Sequence, residues 1–321
     1  MSILQRFRES ELGFGTKTSG QRSRLINRNG SFNIRRVEQS RWKSSSLYHT
    51  LITLHWWKFN LIVFAYFVLV NVVFASLYYY LSPNGIVGAE ASDAADRFLN
   101  AFFFSTQTIS TVGFGRLSPG DHMTNAIAAV ESLMGLLGFA LVTGLLYGRF
   151  SRPKARLLQS DHAIIAPFKG ARAWQCRIAN KMRNSQLTHM EAKVTVAKVV
   201  EEDGVPVRRF FSLELELKSI VFFPMTWTLN HPINADSPLF GMEAKDYEKA
   251  DVEFLISITG FDDTFSQTVH TRLSYTWQEV LHGARFISVF GKDADGGTSQ
   301  DLRKLSATET AALPAWELAT V

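Results

Sequence analysis

Two long apolar runs dominate the first half of the chain. Phe59 to Leu81 contains 23 residues without a charge, and Ala126 to Gly148 contains 23 residues with one charge, Glu131. A helix rises about 1.5 Å per residue, and the hydrocarbon core of a bilayer is about 30 Å thick. Each run is therefore long enough to cross a membrane. Because 58 mostly polar residues precede the first run, we do not expect a cleavable signal peptide.

The segment between the two runs predicts a helix that is too short to cross. Ser92 or Asp93 caps it, and apolar residues follow at helical spacing, so we expect a helix over residues 94–108. The next segment, Thr111–Gly115 (TVGFG), contains two glycines, each of which costs about 1 kcal/mol in a helix interior. We therefore expect irregular backbone at partial membrane depth before the turn at 118–121 (SPGD).

Irregular backbone inside a membrane is tolerated only where protein buries it or where it lines a water-filled path. Glycines adopt positive φ readily, and such a backbone lets successive carbonyls point the same way. A ring of carbonyls replaces the hydration shell of a cation. This chain contains one such segment, so a closed ring requires several copies around an axis.

The residues before the first run divide into two parts. Residues 1–40 are basic and lack apolar periodicity, which predicts a flexible arm. Within residues 41–58, Leu47, Leu51, Leu54 and Trp57 recur at helical spacing, which predicts an amphipathic interfacial helix. The same pattern also fits the mere start of the first span, which we expect over 59–81.

After Pro153 the pattern changes to that of strands. The segment 211–218 (FSLELELK) alternates leucine with charged residues, and further strands are predicted over 191–200, 220–230, 252–259, 267–275 and 284–290. Six or seven short strands indicate a β-sandwich of immunoglobulin-like size over 151–295, followed by a tail over 296–321. No phosphate loop, zinc spacing or nucleophile elbow occurs, so we expect no enzyme activity, no cofactor and no nucleic-acid partner.

Charge near the two runs predicts the orientation. Eleven Lys and Arg against three acids precede Phe59, and Arg149, Arg152, Lys154 and Arg156 follow the second run. The loop between the runs has two Arg and four acids. By the positive-inside bias both termini should be cytoplasmic. The single cysteine, Cys176, then lies in the cytoplasm and has no partner for an intramolecular disulfide.

The order of span, short helix, TVGFG and span resembles the pore of tetrameric potassium channels, whose filter sequence is T-V-G-[YF]-G. Between about residues 25 and 291 the chain resembles the bacterial inward-rectifier potassium channels. That resemblance includes the amphipathic "slide" helix, the end of the second span at 147–153 (YGRFSRP) and the stretch at 237–241 (SPLFG). The loop lacks the cysteine pair of eukaryotic relatives, which favours a bacterial source and an inner-membrane location.

The resemblance implies an α+β membrane protein: two transmembrane helices (59–81 and 124–150), a re-entrant pore helix and filter, and a cytoplasmic immunoglobulin-like β-sandwich. It implies a homotetramer that conducts K⁺ through carbonyls of Thr111, Val112, Gly113 and Phe114, with Gly115 completing the filter. Phe114 replaces the commoner tyrosine but keeps its carbonyl, so we expect selectivity to persist. We also expected the voltage-gated class of channel.

Further residues take roles through the same resemblance. Tyr147 stands where the family's inner helices converge, as a gate or as an interfacial anchor. Phe139 stands where strong rectifiers keep an acid, so polyamine or Mg²⁺ block should be weak there. Glu131 either faces the ion path or forms a bond behind the filter, and the sequence favours neither role. Gly135, Gly138 and Gly144 permit either close packing or bending of this helix.

The remaining expectations concern charge outside the spans. Glu191 and Asp263 align with acids that line the family's cytoplasmic vestibule, although solvated carboxylates at strand edges would look the same. Lys58, Arg149, Arg152 and Lys154 are expected to face anionic phospholipids, including phosphoinositides, although the positive-inside bias alone requires basic residues here. Ba²⁺ is a further expected blocker.

Two other classes of protein were weighed. A membrane-tethered sandwich that acts as a binding or sensor module leaves the short helix and the TVGFG segment unexplained. A potassium transporter subunit would need four such segments in one chain, and there is one.

Overall fold

The computed structural model of the protein describes residues 24–33, 46–151, 157–181, 187–202, 204–223, 225–292 and 297–316. They form two compact units, the helical unit (46–151) and the sandwich unit (24–33 together with the described residues from 157 to 316). Most of the expected arm and the first residues expected in the amphipathic helix, 41–45, lie outside the described residues.

Four helices and one pair of two-residue strands form the helical unit. The helices are α1 (Leu47–Thr53), α2 (Trp56–Leu81), α3 (Ala94–Ile109) and α4 (His122–Phe150). The strands β1 (Ile86–Val87) and β2 (Ser118–Pro119) pair antiparallel. Helices α2 and α4 are long and apolar enough to cross a membrane, whereas α3 is not long enough.

Helix α3 is held between the two long helices. Of the two candidate caps, Asp93 is the one used, because its carboxylate accepts the backbone N–H of Asp96 at 2.8 Å. Phe104 of α3 packs edge-on against Tyr78 of α2, with ring centroids 5.0 Å apart. Six more buried apolar residues complete this core: Val70, Phe74, Ala75, Ala101, Leu117 and Ile127.

The amphipathic helix is shorter than its pattern predicts. Helix α1 ends at Thr53, and Trp56 begins α2. The guanidinium of Arg149 donates to the carbonyls of Leu51 and Leu54, each at 2.7 Å. A continuing helix would use those two carbonyls for its own bonds, so the arginine satisfies the helix end instead.

The sandwich unit contains two five-stranded sheets. Its strands and its α-helix are β3 (Leu157–Gln159), β4 (Ala163–Phe168), β5 (Ala171–Asn180), β6 (Leu187–Glu202), β7 (Val205–Leu213), β8 (Ser219–Phe222), β9 (Thr226–Ile233), α5 (Ala244–Lys249), β10 (Glu253–Asp262), β11 (Gln267–Thr276), β12 (Val280–His282), β13 (Ala284–Phe286), β14 (Phe290–Lys292), β15 (Thr298–Gln300) and β16 (Thr308–Thr310). In one sheet, β11, β10, β6 and β7 lie side by side, and β8 pairs with β6. In the other sheet, β12, β4, β5 and β3 lie side by side, and β9 pairs with β5.

The two sheets pack face to face through buried side chains. Trp174 of β5 stacks on Phe254 of β10 at 4.7 Å between ring centroids, and both are fully buried. Strands β13 and β16 form a separate antiparallel pair, as do β14 and β15. The expected fold class is therefore confirmed: two apolar helices and a re-entrant helix, followed by a β-sandwich.

Three predicted strands differ from the observed ones. The strand expected over 211–218 ends at Leu213, and the backbone N–H of Glu216 donates instead to the carbonyl of Asn230. The alternation was correct only as far as Leu215, which is buried, whereas Leu217 is exposed. The strand expected over 220–230 is two strands, β8 and β9. The strand expected over 284–290 is likewise interrupted: β13 ends at Phe286 and pairs with β16, whereas β14 begins at Phe290 and pairs with β15.

The end of the expected flexible arm is ordered. Leu25 and Ile26 are buried against the sandwich, and their N–H groups donate to the carboxylate of Glu253. Arg24 pairs with Glu279 at 3.1 Å. The prediction of a flexible arm is thus wrong for residues 24–33, because two apolar residues and a buried carboxylate fix this segment.

Candidate ion-conducting segment

The backbone of residues 111–115 alternates in handedness. Thr111, Gly113 and Gly115 have φ of 58°, 51° and 83°, whereas Val112 and Phe114 have ordinary negative φ. Regular strands point successive carbonyls to opposite sides, and this alternation removes that reversal. The two glycines adopt positive φ without strain, and Thr111 adopts it as a non-glycine residue.

Gln107, near the end of α3, holds the segment from behind. Its carbonyl oxygen accepts the N–H groups of Val112 at 3.0 Å and Gly113 at 3.3 Å. Its side-chain oxygen accepts the N–H of Phe114 at 3.2 Å, and its amide nitrogen donates to the carbonyl of Leu117 at 3.3 Å. One buried glutamine therefore binds both the middle of the segment and the chain that leaves it.

The carbonyl oxygens of the segment are left free. Within the described residues, no hydrogen bond ends on a carbonyl of Thr111, Val112, Gly113 or Phe114. The side chains of Val112 and Phe114 are 53% and 83% exposed in the single chain. The segment thus has its N–H groups directed into the protein and its carbonyls available to a ligand, which is the arrangement a cation requires.

Glu131 lies behind this segment, fully buried between α2, α3 and α4. Tyr78 donates to one carboxyl oxygen at 2.7 Å, and Ser105 contacts the other. Asn71 contacts Ser105 at 3.0 Å. Of the two roles considered for Glu131, this geometry supports the bond behind the filter and not a position facing the ion path.

The three glycines of α4 have different surroundings. A Cβ at Gly135 would lie 2.3 Å from the carbonyl oxygen of Ile109, the last residue of α3. A Cβ at Gly138 would meet only the ring of Tyr66, at 3.7 Å, and one at Gly144 would meet nothing within 4 Å. Gly135 is therefore required for close packing beneath the segment, whereas Gly144 is not.

Tyr147 and Phe139 lie on α4 and are each 74% exposed in the single chain. Neither side chain packs into the core of the helical unit. Their roles as gate and cavity residues stay predictions.

The two expected vestibule acids lie on neighbouring strands. Glu191 of β6 is paired with Thr259 of β10, and Asp263 directly follows the end of β10. Lys193 forms an ion pair with Glu191 at 3.2 Å, and Thr188 donates to Asp263 at 3.2 Å. Both acids are exposed in the single chain.

The expected lipid residues differ in their contacts. Lys58 is exposed, with its ammonium 5.4 Å from the ring centre of Trp57. Arg149 binds the end of α1 and stacks its guanidinium over Trp56 and Phe59, each at 4.6 Å. Arg152 and Lys154 lie outside the described residues.

Comparison with known proteins agrees with this geometry. Residues 157–320 match the inward rectifier potassium channel C-terminal domain, and residues 65–152 match an ion channel domain. The chain is 34% identical over 293 residues to the inward rectifier potassium channel Kirbac3.1 of Paramagnetospirillum magnetotacticum, covering 90% of this chain and 97% of that protein. The chain belongs to the inward-rectifier potassium channel family.

Vertebrate members are more distant relatives. The ATP-sensitive inward rectifier potassium channel 12 of Gallus gallus is 26% identical, covering 83% of this chain and 67% of its own length. The G protein-activated inward rectifier potassium channel 1 of Homo sapiens is 28% identical, covering 90% of this chain and 61% of its own length. The domain match extends to residue 320, so part of the tail that we placed outside the resemblance belongs to the family domain.

This inward-rectifier channel is a membrane protein that passes K⁺, and it is not an enzyme. The expectation of voltage gating is not supported, because inward rectifiers are not voltage-gated channels. Its two spans also lack the series of intramembrane arginines that senses voltage.

Sequence reasoning missed four residues behind the segment: Gln107, Ser105, Tyr78 and Asn71. Each is a polar or hydroxyl-bearing residue of α2 or α3, and each is at most 7% exposed. Buried polar groups require partners, so polar residues at corresponding depths of three helices were the signal that these helices share a network.

Proposed function

We propose that this protein is a homotetrameric, potassium-selective channel whose filter is Thr111–Gly115. The observation that carries the proposal is that the backbone carbonyls of Thr111, Val112, Gly113 and Phe114 accept no hydrogen bond within the described residues. The N–H group of Thr111 donates to Thr108, and those of the other three donate to Gln107. Four copies around an axis would turn these carbonyls into stacked rings, with K⁺ at Thr111, Val112, Gly113 and Phe114. The exposure of Val112 and Phe114 in the single chain is consistent with partner copies covering them.

Control of the pore is proposed to act on α4. Four copies of Tyr147 would form a hydrophobic constriction, and Phe139 would leave the cavity without an acid, so rectification by polyamines or Mg²⁺ should be weak there. Arg149 ties α4 to the end of α1, which supports a mechanical link between the interfacial helix and the helix that carries Tyr147.

Lipids are the proposed regulators, together with the sandwich. Lys58, Arg149, Arg152 and Lys154 would lie near anionic headgroups of a bacterial inner membrane, with both termini in the cytoplasm. Phosphoinositides are the proposed ligands of this type. Glu191 and Asp263 would line the vestibule and concentrate cations or blocking polycations near the axis.

The proposal is tested with the purified protein in liposomes. We expect uptake of rubidium or potassium that exceeds sodium uptake and that Ba²⁺ blocks. Vesicles with and without anionic phospholipid, and with added phosphoinositide, measure the lipid dependence in the same assay. Absence of any Ba²⁺-sensitive, potassium-selective flux across these lipid compositions would refute the channel assignment of the segment.

A matched pair of glycine variants tests the filter itself. Gly113→Asp should abolish the flux and leave the tetramer intact on size-exclusion chromatography, because a side chain and a charge enter the proposed carbonyl ring. Gly170→Asp makes the same change at another positive-φ glycine whose Cβ would meet nothing within 4 Å, and it should conduct normally. Equal flux from both variants would remove the filter assignment.

A further inference from the structure

The carboxyl of Glu131 has three neighbours with which it forms a single chain of contacts. The Tyr78 hydroxyl lies 2.7 Å from Oε2, and the Ser105 hydroxyl contacts Oε1. Ser105 also contacts Oδ1 of Asn71 at 3.0 Å, and the amide nitrogen of Asn71 donates to the carbonyl of Phe67 at 2.7 Å. Tyr78 is 1% exposed, and the Glu131, Ser105 and Asn71 side chains are fully buried.

Counting hydrogens along this chain shows that one is missing. The Ser105 hydroxyl has one proton but faces two acceptors, Oδ1 of Asn71 and Oε1 of Glu131. Reversing the Asn71 amide does not help, because its oxygen would then lie 2.7 Å from the Phe67 carbonyl oxygen. If Glu131 is ionised, the single proton of Ser105 can lie in its contact with Asn71 or in its contact with Glu131, and the other contact has no proton.

An additional proton on Oε1 completes the chain. Tyr78 then donates to Glu131, Glu131 to Ser105, Ser105 to Asn71 and Asn71 to Phe67, so that every contact contains one hydrogen and all run in one direction. No Lys or Arg of the described residues forms an ion pair with Glu131. Burying an uncompensated carboxylate is far more costly than burying a neutral, hydrogen-bonded carboxyl.

We propose that Glu131 is a neutral, proton-bearing carboxyl that positions the pore helix α3 against both spans. The proposal rests on the assignment of residues 111–115 as the filter. Ser105 lies two residues before Gln107, which holds Val112, Gly113 and Phe114. Glu131 is thus a positioning residue that acts through α3 and makes no contact with the ion.

Infrared spectroscopy tests the proton directly. The difference spectrum between the full-length channel and Glu131→Gln at neutral pH should contain the carbonyl stretch of a protonated carboxyl, and this band should shift in deuterated water. A difference spectrum with only carboxylate bands would overturn the proposal. This readout does not depend on conduction, so it distinguishes failure of this inference from failure of the filter assignment.

Substitution tests the positioning role in the liposome flux assay. Glu131→Gln reproduces the donor and acceptor of the neutral acid, so we expect flux and the potassium-to-sodium ratio within about twofold of the unmodified channel. Glu131→Met has similar length but leaves the Tyr78 hydroxyl without its acceptor and removes the contact of Ser105 with α4, although Ser105 keeps Asn71 at 3.0 Å. The potassium-to-sodium ratio should therefore fall about tenfold. Ser105→Ala should cause a loss in the same direction. Equal losses for the Gln and Met variants would show that a charge, and not a neutral hydrogen bond, is required at this position.

Discussion

Two glutamates, one in each unit, are buried to the same extent but have different hydrogen-bonding and ion-pair partners. Glu131 of the helical unit is fully buried, and Glu253 of the sandwich unit is 1% exposed. Glu253 accepts the N–H of Leu25 at 2.9 Å and that of Ile26 at 3.3 Å, and it forms an ion pair with Arg208 at 3.2 Å. Within the part of the chain that the structure describes, Glu131 contacts two hydroxyl groups and forms no ion pair.

The difference shows that burial alone does not decide the charge of an acid. The pKa of Glu253 is raised on balance, because burial outweighs the lowering by its two N–H donors, Arg208 and Arg24. All of these partners are donors or cations, so they stabilise the carboxylate. One partner of Glu131, Ser105, also contacts the side-chain oxygen of Asn71. Because the serine has one proton for two acceptors, this contact favours the protonated form of Glu131. Substitution by glutamine should therefore be tolerated at Glu131 and destabilising at Glu253.

The largest effect is expected for Glu253→Gln. Removing one partner of a buried ion pair typically costs about 3–5 kcal/mol. Asp251 still faces the guanidinium of Arg208 at 3.5 Å, so we expect the lower end of this range. The substitution also weakens the acceptor of the N–H groups of Leu25 and Ile26. Hydrogen exchange of the full-length protein should show loss of protection over residues 24–33 and a lower free energy of unfolding.

The control for Glu253 is an exposed ion pair on the same segment. Arg28 pairs with Asp161 at 2.7 Å, with side chains 48% and 64% exposed. Exposed pairs of this type contribute about 0–1 kcal/mol, so Asp161→Asn should change protection little. If Glu253→Gln changed protection no more than Asp161→Asn, the ion-paired state of Glu253 would be disproved and the two glutamates would be alike.

The next largest effect is expected for Gly135→Ala, one turn after Glu131. The added Cβ would lie 2.3 Å from the carbonyl oxygen of Ile109, so α3 or α4 must shift. Overpacking of this kind costs about 1–3 kcal/mol, and the shift displaces the residue two positions before Thr111. We expect reduced potassium selectivity in liposomes and a lower thermal midpoint.

Gly144→Ala is the matched control on the same helix. Its Cβ would meet nothing within 4 Å, and alanine favours the helix by about 1 kcal/mol relative to glycine. Selectivity should therefore be unchanged and stability equal or higher. A loss of selectivity in Gly144→Ala equal to that in Gly135→Ala would show that bending of α4, and not packing on α3, is what these glycines provide.

The pattern of apolar residues along the sequence predicts the order of the elements, but it does not predict the contacts of Glu131. Two uncharged runs, a short capped helix and TVGFG determine the order of elements, because membrane thickness and backbone hydrogen bonding leave few alternatives. The contact between Glu131, Ser105 and Tyr78 joins residues 26 and 53 positions apart, and no local pattern encodes such pairings.

Misplaced boundaries have equally physical causes. The amphipathic helix ends at Thr53 because Arg149, about 95 residues later, binds its last carbonyls. The strand over 211–218 ends at Leu213 because Glu216 bonds to Asn230 in another strand. The order of residues 24–33 depends on Glu253. In each case a distant partner takes a hydrogen bond that periodicity assigns to the local element.

The smallest effect is expected from His231 in the sandwich unit, and it depends on pH. His231 is 4% exposed; its Nδ1 donates to the carbonyl of Glu214 at 2.7 Å, and its Nε2 accepts from Ser237 of the family stretch at 2.8 Å. Burial lowers the pKa of this imidazole below its ordinary value of 6.5. As the pH falls below 6.5, the unfolded chain therefore binds a proton that the folded protein does not, and the free energy of unfolding decreases until the pH reaches the folded pKa.

Thermal midpoints of the full-length channel between about pH 7.5 and pH 5.5 measure this dependence. The midpoint should fall with decreasing pH, and His231→Gln should make the slope shallower. Some slope should remain, because burial also lowers the pKa of His282. An unchanged slope in His231→Gln would mean that His231 does not set the acid sensitivity of the sandwich.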